Sequence, residues 1–417
     1  MRRRVIFHID ANSAYLSWEA VRRLQRGEAL DLRTVPAVIG GDPKTRQGIV
    51  LAKSIPTKKY GIKTGETIFS AKAKCPDLLI ISPDYYLYKQ CSTALGEAIK
   101  DYSPLVEQYS VDEYFLDYTG LEKAFGPPLD AAYHLKEQIK DQLGFTVNIG
   151  ISSNKLLAKM GSELKKPDQV HTLFPEEVSS KMWPLPVEKL FGVGKASSAK
   201  LRSRGIQTIG DLAKTDPYHL TLFLKSYGRL LWNFANGYDE SPVRQKRRVL
   251  IKGIGNSTTL PFNIEDYKKA HLVLLSLAES VAARLRRAEY LAQLVSVSIR
   301  TRDFYSYSHQ KKIFNPTDST NDIYQIAVEL FDEVWKGEPL RHLGLRVSEL
   351  CTNSLIQPSL FDRDFEKRRA VDKTVDKIRE QFGLQAVIRA SFLQSRLKPI
   401  TGGIIVDEEY PLLSAQL

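Results

Sequence analysis

The chain reads as a multidomain α+β protein, and three observations lead there. Its 417 residues exceed the length at which one hydrophobic core keeps growing, so two to four domains are expected. Short apolar runs rich in β-branched and aromatic residues alternate with longer stretches of helical periodicity. Helical character dominates from about Glu176 to Gly237, and strand and helix alternate again beyond it. A hydrophobic content of 43% supports ordinary folded cores. No uncharged apolar run reaches the roughly 18 residues of a membrane span. Met1-Arg2-Arg3-Arg4 leads straight into a strand instead of a secretory leader, so a soluble cytoplasmic protein with no membrane partner is expected.

Val5-Ile6-Phe7-His8-Ile9-Asp10 is a strand ending on a carboxylate, followed by a helix reaching about Arg26. The amides of Ala11, Asn12, Ser13 and Ala14 would open that helix beside Asp10, a place where a triphosphate can bind. Tyr15 follows within one turn, either packing on the sheet or taking part in substrate selection. Ala37 to Gly41 and Gly48 to Ala52 are strands. The basic stretch Lys53 to Gly61, with Lys58, begins as a helix and stops at its glycine. Pro83 to Tyr102 is an amphipathic helix leading to Tyr109-Ser110-Val111-Asp112-Glu113-Tyr114-Phe115-Leu116-Asp117. That run reads as a hairpin or strand edge. Neighbours on a strand point to opposite faces, so Asp112 and Glu113 reach one ion only at a turn or bulge. Pairing of this run with the first strand would bring Asp10, Asp112 and Glu113 together as an oxygen cage for a hard cation such as Mg²⁺. A strand-end Asp taken alone is ordinarily a turn residue. The apolar flanks argue for an ion, because charge buried without a partner is costly.

A helix from Pro128 to Gly144 precedes the strand Phe145 to Ile151, and Ser152-Ser153-Asn154 caps a helix carrying Lys155, Lys159, Lys165 and Lys166. Residues 1 to about 170 thus form an α+β unit with helices over an antiparallel or mixed sheet. Gly192 and Gly194, opening a helix that carries Lys195, suit a helix-hairpin-helix whose amides grip a phosphate without reading sequence. Gly205-Ile206 and the helix start at Thr208 complete that pattern. Residues 238–247 read as a linker. Beyond it come a strand (Val249 to Thr258), a helix (Ile264 to Ala288), two strands (Leu291 to Arg302, Phe304 to Ile313), a helix (Thr320 to Trp335) and a strand (Arg341 to Leu350). This is a second α+β domain, strand-helix-strand repeated, with an open sheet face.

The formal charge of +12, from 60 basic against 48 acidic residues, points to a polyanionic partner. Arg244, Lys246, Arg247, Arg248 and Lys252 cluster before a strand, and Arg284, Arg286 and Arg287 end a helix. In Gln357-Pro358-Ser359-Leu360-Phe361 an extended segment presents apolar residues suited to a partner pocket. A helix from Phe365 to Gly383 and a strand from Ala386 to Ala390 are expected after it. Cys75, Cys91 and Cys351 lack metal-ligand spacing and read as reduced thiols.

Asp10-Ala11-Asn12-Ser13-Ala14-Tyr15, Ser110 to Asp117, Gly150 to Lys155 with Lys166-Pro167, and Gly192-Val193-Gly194 together resemble the Y-family translesion DNA polymerases, over nearly the whole length to about residue 350. The resemblance implies a right-hand polymerase. Its palm would be residues 1–19 and 78–170, its fingers 20–77 and its helical thumb with the helix-hairpin-helix 171–237. A linker at 238–247, a little-finger DNA-binding domain at 248–351 and a tail at 352–417 with a clamp-binding peptide and a small helix-strand unit would follow. By position, Asp10, Asp112 and Glu113 resemble the catalytic metal ligands, with the Ala11 carbonyl as a backbone ligand, for two Mg²⁺ per active site. Tyr15 sits where the family has its steric gate against a ribose 2′-hydroxyl, and Lys166 matches the lysine that meets the triphosphate. Asn12, Ser13, Ala14 and Lys58 would complete the nucleotide site. Gly192, Gly194, Lys195, Arg247, Arg248 and Lys252 would meet DNA.

Ile55 and Lys58 stand where many members carry a Tyr and an Arg, which puts a point charge in place of a planar fork. These positions, Asn12, the Gln357 to Phe361 peptide and the tail look most like the UmuC-type branch of SOS mutagenesis. There an equivalent peptide docks on the sliding clamp. Gln357, Leu360 and Phe361 would be its anchors, and Pro358 departs from the usual Leu. The implied activity is template-directed addition of deoxynucleotides to a primer 3′ end, with low-fidelity lesion bypass. Its partners would be primer-template DNA, deoxynucleoside triphosphates and the clamp, with an accessory subunit or recombinase filament as a further candidate. The rivals are a palm-type nucleotidyl cyclase, which needs neither hairpin nor clamp peptide, and a non-catalytic clamp adaptor, which has no use for three carboxylates.

Overall fold

The computed structural model describes residues 3–42, 46, 48–245, 251–352, 365–393 and 395. The chain divides into two compact units, chiefly Met1–Gly41 with Ile49–Arg248, and Val249–Ile405. The first contains β1 (Ile6–Ala11), α1 (Ala14–Gln25), β2 (Ala37–Gly40), β3 (Val50–Lys53), α2 (Ile68–Lys74), β4 (Leu79–Ile81), α3 (Tyr85–Lys100), β5 (Val106–Gln108) and β6 (Glu113–Asp117). It continues through α4 (Glu122–Phe125), α5 (Pro128–Leu143), β7 (Val147–Ser152), α6 (Lys155–Glu163) and β8 (Val170–Thr172).

Five strands form a mixed sheet in the order β5-β6-β1-β7-β8, with β1 antiparallel to both β6 and β7 and β8 parallel to β7. The expected pairing of the two acid-bearing runs is present, with Asp10 opposite Glu113. Alternation along β1 sorts its side chains between two faces. Phe7, Ile9 and Ala11 enter the core shared with α1, α3 and α5, while Ile6 packs against Phe115 and Ala158 on the α6 side. His8 and Asp10 have the same parity as Ile6, so they face α6.

Gly150 in β7 lets α6 lie this close. A Cβ built there would stand 1.9 Å from the Ala158 carbonyl oxygen and 2.4 Å from the Ser162 nitrogen. Asn154 caps α6 by accepting from the Leu157 amide at 2.8 Å, and its own amide donates to the Gly237 carbonyl. A small three-stranded sheet, β3-β2-β4, lies beside a 3-10 helix at Ile55–Tyr60 that Gly61 ends with φ 66°. The short elements α2 and β4 escape the sequence reading because a 7-residue helix and a 3-residue strand are too short to show a period. The rest of this unit is helical: a 3-10 turn at Val187–Lys189, then α7 (Lys195–Arg202), α8 (Ile209–Lys214), α9 (Pro217–Leu224) and α10 (Ser226–Ala235). The glycine hairpin precedes α7 as expected, with Gly192 at φ 91°, and Thr208 and Asp211 form a capping box on α8.

The second unit holds β9 (Gly253–Ile264), α11 (Tyr267–Arg287), β10 (Tyr290–Thr301), β11 (Ser306–Thr317), α12 (Thr320–Val334), β12 (Leu340–Thr352) and α13 (Phe365–Phe382). Its antiparallel sheet runs β11-β10-β12-β9, and α11 and α12 share one core with it. Strand β9 runs six residues past the expected Thr258, through Pro261, which an edge strand tolerates. The expected strand at Ala386 to Ala390 is absent, and a 3-10 turn at Ala390–Phe392 follows an irregular stretch. The Val387 carbonyl, which a sheet partner would need, accepts instead from the Arg379 guanidinium at 2.9 and 3.0 Å. Helix α13 docks through ion pairs: Arg286 grips Asp376 at 2.6 and 3.0 Å, Arg369 meets Asp318 at 2.8 Å, and Arg379 meets Glu279 at 3.1 Å. No helix among the described residues is long and apolar enough to cross a membrane.

Two outcomes follow from this packing. Gly150→Ala drives a methyl group into helix backbone and is expected to cost about 3 kcal/mol in urea unfolding; a change within 0.5 kcal/mol would show that α6 moves freely. Arg286→Ala leaves Asp372 and Asp376 without their cation, so α13 should become the first site cut in limited proteolysis, and unchanged protection would refute the ionic docking.

Candidate active site

Asp10 and Glu113 face each other across β1 and β6, and Glu163, the last residue of α6, completes a group whose carboxylate oxygens lie within 4.8 Å of one another. Glu163 has no part in the sequence reading. Its signal was its position three residues before Lys166, close enough for the two side chains to meet where α6 ends. Asp112 is not in this group. It sits at the bend before β6, where its carboxylate accepts from the Ser110 hydroxyl at 2.6 Å and its carbonyl accepts from the Ala11 amide at 3.0 Å.

Two lysines answer these carboxylates. Lys166 Nζ bonds Asp10 Oδ2 and, at 2.7 Å, Glu163 Oε1. Lys159 Nζ bonds Glu113 Oε1 and lies over the rings of Tyr109 and Phe191. Lys155 pairs with Glu107 at 2.8 Å, so α6 lays a row of ammonium groups along the sheet. His8, fully buried, bonds Ser162 Oγ through Nδ1 at 2.8 Å, and its Nε2 points at Glu113 Oε2 from 3.8 Å with no hydrogen-bond partner.

The two facing carboxylates differ in how readily they take up a proton. Burial raises Asp10 to about 6, and the Lys166 ammonium offsets that only in part. Burial also works to raise Glu113, but the facing His8 ring and the Lys159 ammonium override it and hold the carboxyl at about 2. Burial raises Asp112 despite the Ser110 hydroxyl, and burial lowers His8. An all-oxygen donor set with one under-compensated carboxylate suits a hard divalent cation, so the residues fit a metal site.

The other candidate residues divide. Of the four amides expected to face a triphosphate, those of Ala11 and Asn12 are taken by the Asp112 and Thr146 carbonyls, both at 3.0 Å, because β1 stays paired past Asp10. Ser13, exposed and left-handed at φ 49°, makes the turn into α1. The Asn12 side chain donates to Thr146 Oγ1 at 3.1 Å. Tyr15 stacks on Tyr88 with centroids 4.2 Å apart and meets Tyr85 edge-on. Lys58 is exposed on its 3-10 helix, and no hydrogen bond or ion pair among the described residues joins it to the carboxylates. Gly194 and Lys195 are exposed at the start of α7, and Tyr227 donates to the Gly192 carbonyl at 2.6 Å. Lys252 is exposed in the second unit. Arg247, Arg248, Gln357, Leu360 and Phe361 lie outside the described residues.

Comparison with known proteins adds to this geometry. Residues 9–163 match the impB/mucB/samB family, 251–360 match that family's C-terminal domain, and 175–206 match the IMS family HHH motif. DNA polymerase IV of Clostridium acetobutylicum is 47% identical over 400 residues, covering 95% of this chain and all of the relative. DNA polymerase IV of Acetivibrio thermocellus is 37% identical, covering 94% and 98%. Among solved structures, a Y-family DNA polymerase chimera of Dbh and Dpo4 superposes with a TM-score of 0.69 at 22% identity, covering 84% of this chain and all of that one. An insertion ternary complex of Dbh DNA polymerase gives 0.54 at 22%, with the same coverage. These relatives carry the name DNA polymerase IV, which does not support the UmuC-like branch expected from the sequence. Ile55 and Lys58, which suggested it, are both exposed, so packing does not constrain them and they mark a branch poorly.

The Asp10 shift sets a pH dependence. Metal-free folded protein holds a proton between about pH 4 and 6 that the unfolded chain releases, so this group's contribution to stability is lost as pH rises through 6. In chelator, Asp10→Asn should therefore melt a few degrees above wild type at pH 8, with the gap closing toward pH 4. A gap independent of pH would show that burial of the charge is not its cause.

Proposed function

We propose, from the premise that this chain belongs to the impB/mucB/samB family of Y-family DNA polymerases, that the acidic cluster between β1, β6 and α6 is its catalytic centre. The chain is a template-directed DNA polymerase of the low-fidelity translesion class, and it adds deoxynucleotides to a primer 3′ end. Neither a nucleotidyl cyclase nor a non-catalytic adaptor has support among the relatives. The observation that carries the reading is the register that sets Asp10 against Glu113 beneath Lys166.

Asp10, Asp112, Glu113 and the Ala11 carbonyl would hold two Mg²⁺. When bound, such ions lower the pKa of the primer 3′-hydroxyl and hold the triphosphate. Asp112 joins by turning from Ser110, one rotation at a bend already made. Lys166 and Lys58 meet the triphosphate, with Asn12, Ser13 and Ala14 shaping the floor on which it lies. Tyr15, braced by Tyr88 and Tyr85, stands against a ribose 2′-hydroxyl. Gly192, Gly194 and Lys195 grip the DNA backbone from the hairpin, and Arg247, Arg248 and Lys252 add phosphate contacts.

In this reading residues 1–19 and 78–170 act as palm, 20–77 as fingers, 171–237 as thumb, 238–247 as linker and 248–351 as little finger. Gln357, Leu360 and Phe361 anchor a sliding clamp, and the protein works in the cytoplasm in the SOS response.

Asp112→Ala is expected to lower primer extension by roughly a hundredfold or more while primer-template affinity stays within about twofold. Parallel loss of both in gel extension and anisotropy assays would move Asp112 from chemistry to DNA binding.

A further inference from the structure

Lys166 combines a pinned backbone with a movable head. Asn148 lies opposite Asp10 in the β1–β7 register, and its amide donates to the Ser162 carbonyl at 3.0 Å and to the Lys165 carbonyl at 2.7 Å. The chain is therefore fixed to the sheet one residue before Lys166 and one strand away from Asp10. Beyond that point the lysine is a flexible four-carbon stem carrying a compact charge. Its ammonium bridges Asp10, whose side chain is 8% exposed, and Glu163, which is 47% exposed at the rim. A nearly buried carboxylate with its outer approach taken by an ammonium has no room for a cation at the same oxygen.

We propose that Lys166 and a divalent cation are alternative occupants of Asp10, and that Glu163 is the positioning residue that keeps Lys166 there until a triphosphate draws it away. The proposal rests on the polymerase reading of this site and adds an order of events to it. Without nucleotide, Lys166 closes the salt bridge and metal binds poorly. An arriving triphosphate offers the ammonium a denser negative charge than Asp10 and Glu163 together, and its departure exposes Asp10 to the cation. Metal and nucleotide then bind as a coupled pair, and a cation does not settle in an empty site. Glu163 acts through Lys166 instead of through the metal. It stabilises the lysine's resting place at the rim, which the short i,i+3 spacing at the end of α6 provides.

The test is Mn²⁺ binding to the full chain, read from the electron paramagnetic resonance of free Mn²⁺, with and without a non-hydrolysable deoxynucleoside triphosphate. Without nucleotide, Lys166→Gln should bind Mn²⁺ about tenfold more tightly than wild type, equal to ~1.4 kcal/mol, whereas Lys166→Arg should stay near wild type because it keeps the charge. Glu163→Gln should tighten Mn²⁺ binding a few-fold in the wild-type background and leave it unchanged beside Lys166→Gln. Equal or weaker binding by Lys166→Gln overturns the exchange. Weaker binding by Glu163→Gln beside Lys166→Gln overturns the positioning role and makes Glu163 a ligand. Glu163→Gln changes an exposed rim residue, so it carries the comparison if Lys166→Gln fails to fold, and loosening by it in the wild-type background then refutes the proposal. Primer extension by the same wild-type preparation is measured alongside, since its absence would sink the polymerase reading itself.

Discussion

Asp10 and Glu113 are forced together by strand register, and the surrounding structure is arranged around that enforced repulsion. Two carboxylates within 4.8 Å repel by roughly 3 kcal/mol at an effective dielectric of about 20. Neither can turn away, because period-two alternation commits both to the α6 face while Phe7, Ile9 and Leu116 fill the opposite one. Cations must come to them. Gly150 brings α6 close enough, and α6 supplies Lys159 directly and Lys166 just past its end.

The two carboxylates are not compensated alike. Glu113 has two companions that hold it ionised, Lys159 and the facing His8, and Lys159 is itself steadied over Tyr109 and Phe191. Asp10 has Lys166, on a long stem shared with an exposed glutamate, and a lesser pull from His8, and the two together do not offset its burial. One member of the pair is thus a permanent charge and the other waits for a better cation than the one it has. Such a division suits a site that must stay folded when empty yet accept a metal in each cycle. Full compensation of both carboxylates would leave a cation little to gain by binding.

The sequence carries the sheet well and the site in part. Apolar, β-forming runs that end on or carry carboxylates, Val5 to Asp10 and Tyr109 to Asp117, were enough to suggest pairing two runs about a hundred residues apart, and the structure pairs them with Asp10 opposite Glu113. Caps and glycines at Asn154, Thr208, Gly144 and Gly61 located helix ends through local chemistry that tertiary packing did not override. Glu163 and the partner choices of Lys159 and Lys166 were not legible, since they depend on how near α6 comes to the sheet, and that distance is set by the glycine on another element. The resting place of Asp112 was hidden for a related reason: adjacency to Glu113 in sequence does not reveal that its carboxylate accepts from Ser110. The strand expected at Ala386 to Ala390 failed because Arg379 claims a carbonyl that only tertiary structure brings within reach.

The same contrast between held and free groups runs through the proposed nucleotide site. Tyr15 lies flat on Tyr88, which is 1% exposed, and meets Tyr85 at a right angle, so its ring cannot retreat without disturbing buried aromatics. Exclusion by collision needs that stiffness, because a ring able to rotate aside would admit a bulkier sugar at the cost of a rotamer change, about 1 kcal/mol. Ile55 and Lys58 instead stand exposed on a short 3-10 helix. In the proposed reading, a substrate held by the sugar and the triphosphate, with little packed against it from that helix, would be checked for what kind of nucleotide it is more strictly than for how well its base pairs. On that reading, tolerance of a damaged template would follow from where the rigid contacts are, without a separate device.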